Sequence, residues 1–256
     1  MSLVLTEDRG AVRHVVLNRP DKRNAMNQAL LSELGAALQA AAEDADVHCV
    51  VLRGEGPVFS AGVDLAELMS MAGRPEVLRP FREVFLRCAN LCEQMPKPVV
   101  CQIHHTCVGG ALEVALGCDL RIAADDARLG LPEVRFGIIP DVGGSTRLPA
   151  VVGLGRAKEL IMTAATINAT EAHRIGLLNR VVAADELQAA TQGLVDELLA
   201  NSPYAVGRAK RVLDASARPA LANTLELEVA VQEGCVAVLR EQAQTAQASE
   251  AAQSAT

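Results

Sequence analysis

The strongest constraint on this chain is an alternation of two hydrophobic periods through its first half. Residues 12–18 (VRHVVLN) form a β-branched run that predicts a strand, and the turn residues Asn18-Arg19-Pro20-Asp21-Lys22-Arg23-Asn24 end it. Over residues 26–43, Leu30, Leu34, Leu38 and Ala41 recur at steps of three and four, which predicts a helix with one apolar face. Residues 47–53 (VHCVVLR) read as a second strand, closed by Gly54-Glu55-Gly56-Pro57. A small-residue turn at 59–65 leads into another helix, and a further helix over 79–94 stops at Met95-Pro96-Lys97-Pro98. Val99–Ile103 is a strand, residues 109–116 a helix and residues 119–124 a strand. Such alternation predicts an α/β domain with parallel strands and right-handed crossovers.

After Gly143 the pattern changes. Residues 157–163, 169–175, 185–200 and 204–215 have helical spacing, and only 178–182 reads as a strand, so a helical C-terminal part is expected from about Gly153. Residues 242–256 are Ala, Gln, Ser and Thr with a single Glu, without a large apolar face, and are expected to be frayed or disordered. No apolar run approaches the ~20 residues of a membrane span, and the charged opening MSLVLTEDRG is unlike a targeting peptide. The seven cysteines form no C-x-x-C pair and read as reduced core residues of a cytoplasmic protein. A net charge of −7, with one Tyr and four Phe, argues against a nucleic-acid or anionic-membrane surface.

The candidate chemistry centres on Val108-Gly109-Gly110-Ala111-Leu112-Glu113, where a strand runs into glycines and then a helix. Glu113 lies nearly above Gly110 and would lean back toward the free N–H groups of its own helix start. Those groups favour a developing oxyanion. The same residues also suit tight helix packing with a solvated Glu113, and the stretch by itself leaves both readings open. Gly62 removes side-chain bulk, so the Val63 N–H could face a ligand, although a small-residue turn after a strand is also read as only a turn. Glu133 (in LPEVRFGIIP) and Asp141 (in PDVGGSTR) are further acids, the latter also fitting a helix cap. Adjacent His104 and His105 would point to opposite sides if extended, and no Cys/His spacing suits a metal. Neither a phosphate-loop motif nor G-x-S-x-G occurs.

Taken together, LNRPDKRNAMN, VVLRGEG, VFSAGVDL and the long run from PKPVV to STRLP closely resemble the crotonase (enoyl-CoA hydratase/isomerase) superfamily, from about Val15 to Asn201. The resemblance implies an α/β spiral of repeated ββα units over residues 1–200. It also implies a helical C-terminal region, residues 201–256, serving contacts in a homotrimer or dimer of trimers. The substrate would be an acyl-CoA thioester, with CoA part of the substrate and no separate cofactor or metal. Val63 and Gly110 would form the oxyanion hole. Lys22, Arg23, Ala25, Ala61, Asp64 and Leu65 would line the CoA side. Glu113 and Glu133 match the paired glutamates of enoyl-CoA hydratases, which bind the attacking water and protonate the α-carbon.

Asp141 stands where typical hydratases have glycine and where dienoyl-CoA isomerases carry an aspartate. A double-bond isomerase using Glu133 and Asp141 is therefore the alternative, and a non-catalytic binding homologue is the alternative of another class. Three departures from the family pattern stand out. His104-His105 replaces Asn-Gly, Ala111 replaces a third glycine, and the C-terminal ending of relatives is not recognisable. The stretch around residues 68–76 is expected to shape the acyl pocket.

Overall fold

The computed structural model describes residues 2–71, 74–218 and 220–254. The chain opens with an antiparallel hairpin, β1 (Val4–Arg9) and β2 (Val12–Leu17). Helix α1 (Gln28–Glu43) begins where the Asn27 side chain accepts from the Leu30 N–H, and it buries the stripe Leu30, Leu34, Leu38 and Ala41. There follow β3 (Cys49–Gly54), α2 (Leu65–Met71), α3 (Pro75–Gln94), β4 (Val99–Ile103), β5 (Thr106–Val108), α4 (Gly110–Gly117), β6 (Leu120–Ala124) and β7 (Arg128–Gly130). The remainder is α5 (Gly144–Val152), α6 (Leu154–Met162), β8 (Thr166–Asn168), α7 (Ala169–Arg174), β9 (Arg180–Val182), α8 (Leu187–Leu199), α9 (Pro203–Ala217) and α10 (Leu221–Ser254).

The larger sheet has the order β1-β2-β3-β4-β6-β9, and every pair after the hairpin is parallel. Strand order rises with chain order and never reverses, so each crossover lays its strand beside the previous one. That progression makes a spiral, where a doubly wound sheet would show a switch in direction. The smaller sheet is β5-β7-β8, and an isolated parallel bridge from Ser60 to Cys107 extends it. Each turn of the spiral thus places one extended segment in each sheet before its helices: β3 with Ser60, β4 with β5, β6 with β7. This is the expected ββα repeat. The second segments escape the sequence pattern because β5 and β7 are three residues long, too short to display alternation.

Central strands are buried on both faces: Cys49, Val50, Val51 and Leu52 of β3 are all 0% exposed. The seven cysteines are free thiols, and six of them are buried. Helix α10 differs from expectation. It continues through residue 254, over most of the stretch read as frayed, because Ala, Gln and Glu are strong helix formers even without an apolar face; residues 255–256 lie outside the described residues. Helices α9 and α10 fold back on the core. Lys210 donates to Cys92 O at 2.6 Å, and Glu228 and Gln232 are buried beneath α10. Among the described residues no helix is long and apolar enough to cross a membrane.

Candidate active site

Small residues place α4. Every residue from Gly110 to Gly117 is buried. A Cβ on Gly110 would lie 2.3 Å from Phe85 Cζ, and one on Gly117 would lie 2.4 Å from Ala89 O, so glycines allow α4 to press against α3. Ala111, the departure from a third glycine, is fully buried without disturbing the helix. The helix is entered through Gly109 at φ 58° and ψ −137°, a conformation that L side chains avoid. Gly62, at φ 88°, packs so closely that a Cβ would stand 2.5 Å from Val108 O and 3.5 Å from Gly110 N. The loop after β3 and the start of α4 therefore meet backbone to backbone. Val63 and Gly110 line one cavity of about 50 Å³ together with Phe85, Glu113, Glu133 and Asp141. Among the described residues neither the Val63 nor the Gly110 N–H donates to a backbone acceptor.

Glu113 corrects one expectation. Its carboxylate does not turn back to its own helix start; Oε1 accepts from Val142 N at 2.9 Å and Gly144 N at 2.8 Å, at the beginning of α5. The N–H groups there are orphan donors of a helix start, and they carry its positive dipole end. A Cβ on Gly144 would come within 2.8 Å of Glu113 Oε1, so glycine is what lets the carboxylate approach. Glu133 opens a short 3₁₀ turn, Glu133–Phe136. Its Oε1 would lie 3.1 Å from a Cβ on Gly109, and its buried Oε2 has no hydrogen-bond partner among the described residues. Asp141 Oδ2 accepts from Arg82 Nε at 3.2 Å.

Burial raises all three acids. Glu113 is pushed well above the carboxylate range by burial and then by the negative neighbours Glu133, Asp141 and Glu228, with the Gly144 N–H opposing. Burial lifts Glu133 to about 7. Asp141 rises to about 6, because burial outweighs the Arg82 guanidinium beside it. Several buried carboxylates facing one arginine cannot all ionise, so the site holds a proton near neutral pH. That is the condition for moving protons to and from a bound substrate.

The expected CoA side is assembled around the first turn after β2. Lys22 and Arg23 are exposed, Lys22 ending the 3₁₀ turn Pro20–Lys22 and Arg23 at φ 52°. Ala61 N donates to Arg23 O at 3.0 Å, and Arg19 Nη1 donates to Ala25 O at 2.9 Å. Asp64 is held by Arg19 at 2.7 Å and accepts from the first amides of α2, so its charge is matched within the fold. Leu65, 48% exposed, opens α2 beside it. Buried Asn24 underlies the segment, its Nδ2 reaching Glu55 O, Val58 O and Phe59 O.

Of the stretch expected to shape the pocket, Leu68 lines the cavity, and residues 72–73 lie outside the described residues. His105 sits at φ 53°, in the left-handed region where the family pattern has glycine. The two adjacent histidines reach different partners, His104 the Gly56 carbonyl at 2.9 Å and His105 the Thr106 hydroxyl at 3.0 Å. Among the described residues no three His, Cys, Asp or Glu side chains gather as they would around a metal ion. Sequence reasoning missed Phe85, Arg82, Glu228 and Gln232. The last two sit on α10, whose spacing gives no sign that it meets a turn some 85 residues earlier.

A parallel spiral carrying a glycine-lined helix start and three acids in one cavity, Glu113 buried and Glu133 and Asp141 half-buried, defines an enzyme of the crotonase type. The family model for enoyl-CoA hydratase/isomerase matches residues 7–251, and the chain belongs to that family. It is 38% identical over 212 residues to a short-chain-enoyl-CoA hydratase of Clostridium acetobutylicum, covering 82% of this chain and 80% of that one. It is 36% identical over 224 residues to the mitochondrial Delta(3,5)-Delta(2,4)-dienoyl-CoA isomerase of Pongo abelii, covering 82% of this chain and 67% of the relative. Among solved structures, an enoyl-CoA hydratase from Bacillus halodurans superposes with a TM-score of 0.86 at 26% identity, covering 92% of this chain and 95% of that one.

Proposed function

We propose that this protein is an enoyl-CoA hydratase, adding water syn across the conjugated double bond of a 2-enoyl-CoA. The observation that carries the reading is the meeting of Glu113 and Glu133 with Val63 and Gly110 around one cavity. The thioester oxygen accepts from the Val63 and Gly110 N–H groups, which stabilise it as an enolate oxyanion. Glu113 takes a proton from water as the water oxygen bonds to Cβ, and the π electrons move onto the thioester. Glu133 then gives its proton to Cα as the enolate collapses. The Val142 and Gly144 N–H groups on Oε1 favour the ionised Glu113 that the first step needs, and a Glu133 oxygen without a partner among the described residues suits its donation.

CoA enters as part of the substrate, with no separate cofactor. Lys22 and Arg23 attract its phosphates, and Ala25, Ala61, Asp64 and Leu65 border it. Apolar side chains left exposed on α9 and α10, among them Val212 (67%), Leu213 (68%) and Leu227 (59%), support a homotrimer or a dimer of trimers. The free, mostly buried thiols support the cytoplasm as its compartment.

Hydration of crotonyl-CoA is the test, with Glu113→Gln and Glu133→Gln expected to lose it. No turnover by the wild-type protein on a panel of enoyl- and dienoyl-CoAs would overturn the reading. A second reading rests on Asp141, which lines the same cavity with its pKa raised to about 6. Glu133 and Asp141 would then move a proton between two carbons and shift the double bond. Under the first reading Asp141→Asn spares hydration; solvent deuterium uptake and the position of the product double bond distinguish the two reactions.

A further inference from the structure

The turn that holds Glu113 is itself held by the C-terminal helix. Three successive N–H groups are shared between two carboxylates: Val142 and Gly144 donate to Glu113 Oε1, and Gly143 between them donates to Glu228 Oε2 at 2.9 Å. The other Glu228 oxygen accepts from the Thr146 hydroxyl. One turn further along α10, Gln232 Oε1 accepts from Ile139 N at 2.9 Å. Both side chains are buried, Glu228 at 4% and Gln232 at 8% exposure. The position admits only glycine, because at φ 106° a Cβ there would lie 1.7 Å from Arg147 Nη1, and Arg147 is held by Glu93 at 2.7 Å. The N–H of Gly143 must point away from Glu113 for its two neighbours to point toward it, and Glu228 supplies the acceptor that makes this orientation favourable.

We propose that Glu228 is a positioning residue, which from the C-terminal helix of the same chain sets the rotation of the Asp141–Thr146 turn and so aims two N–H groups at Glu113. Glu228 is not among the residues that line the cavity, so its role is through the turn rather than on the substrate. The inference rests on the hydratase reading only where turnover is measured. Its charge also acts within a defined set of groups: Glu113 on α4, Asp141 on the turn and Arg82 on α3. Its negative charge opposes ionisation of Glu113 and Asp141.

Glu228→Ala and Glu228→Gln test this through amide hydrogen exchange at 142–144 and the pH dependence of kcat on crotonyl-CoA. In the alanine variant the exchange accelerates and kcat falls about 100-fold while KM changes less than about threefold, the pattern of a misaimed catalytic group. The glutamine variant keeps an acceptor and recovers kcat to within about 10-fold of wild type. Having lost the charge, it moves the acid limb of the profile to lower pH, a shift that a purely structural role would not produce. Wild-type exchange and kcat in the alanine variant would overturn the proposal. Should that variant not fold, an unshifted pH profile in the glutamine variant would overturn it. If the wild-type protein hydrates no enoyl-CoA, the hydratase reading falls alone, and amide exchange decides the role of Glu228.

Discussion

Helices α4 and α10 each bring a carboxylate to the same turn, and they are built in opposite ways. Helix α4 is eight residues long and wholly buried, and its place is set by glycine contacts with Phe85 and Ala89. Helix α10 is 34 residues long and leaves Leu227, Val231 and Val238 exposed; what it buries at the site is polar, Glu228 and Gln232. A helix fixed by close packing has no alternative position that does not open a void or a clash. One held by a few hydrogen bonds, about 1 kcal/mol each, and by the half-exposed Arg79–Glu233 pair is separable from the core at modest cost. The site thus joins an immovable half to an adjustable one.

The largest effect should come from the immovable half. Glu113→Gln or Glu133→Gln is expected to lower kcat by roughly 10²–10⁴-fold with the fold intact, measured on crotonyl-CoA alongside circular dichroism. Glycine substitutions sharpen the contrast. Gly110→Ala drives a methyl into Phe85 and should cost about 1–3 kcal/mol in denaturant unfolding. Gly234→Ala on α10, where a Cβ meets no heavy atom within 4 Å, should instead stabilise by up to about 1 kcal/mol. Equal and opposite signs lost, with both variants neutral, would dissolve the distinction between the two helices.

The acids predict a pH dependence of stability. The folded-state pKa of Glu133, about 7, and that of Asp141, about 6, lie above the ordinary values of 4.5 and 3.8. Groups raised in this way contribute stability that is complete below their unfolded pKa and is lost as pH rises through the folded one. Tm should therefore fall between about pH 4 and pH 7, and Glu133→Gln should flatten that fall by up to about 3 kcal/mol. A flat profile in the wild-type protein would mean that these acids are not strained by burial. The smallest effect is expected at the exposed surface. Lys22→Ala and Arg23→Ala should raise KM for an acyl-CoA by about 2–10-fold without changing kcat, and added salt should shrink the difference.

Much of this was legible along the chain. The stripe Leu30, Leu34, Leu38, Ala41 marked α1, and Val99–Ile103 was read with its observed bounds. The parallel core, the glycine entry to α4 and the three acids were read from local pattern and motif. The second strands of each turn were not, because three residues show no period. Helix α5 was hidden by Pro149, which stands within it. Glu113 was placed on the right helix but aimed at the wrong amides, because spacing fixes where a side chain starts and only packing fixes what it meets. Arg82 looked like one more charge on a helix, and nothing in its neighbourhood in sequence announces Asp141.

By itself the sequence determined the periodicities, and these determine which faces are apolar and hence an α/β domain of parallel strands; the spiral was what the family resemblance implied. It also determined the chemistry available, since the glycines at 62, 109, 110 and 144 permit approaches that no other residue allows. The tertiary structure decided how that chemistry is wired. It gave Val142 and Gly144 to Glu113 and Gly143 to Glu228, left a Glu133 oxygen without a partner among the described residues, and set Arg82 against Asp141. The physical reason is range. Backbone periodicity is encoded within a few residues, whereas the pKa of a buried carboxyl depends on groups that only folding brings together.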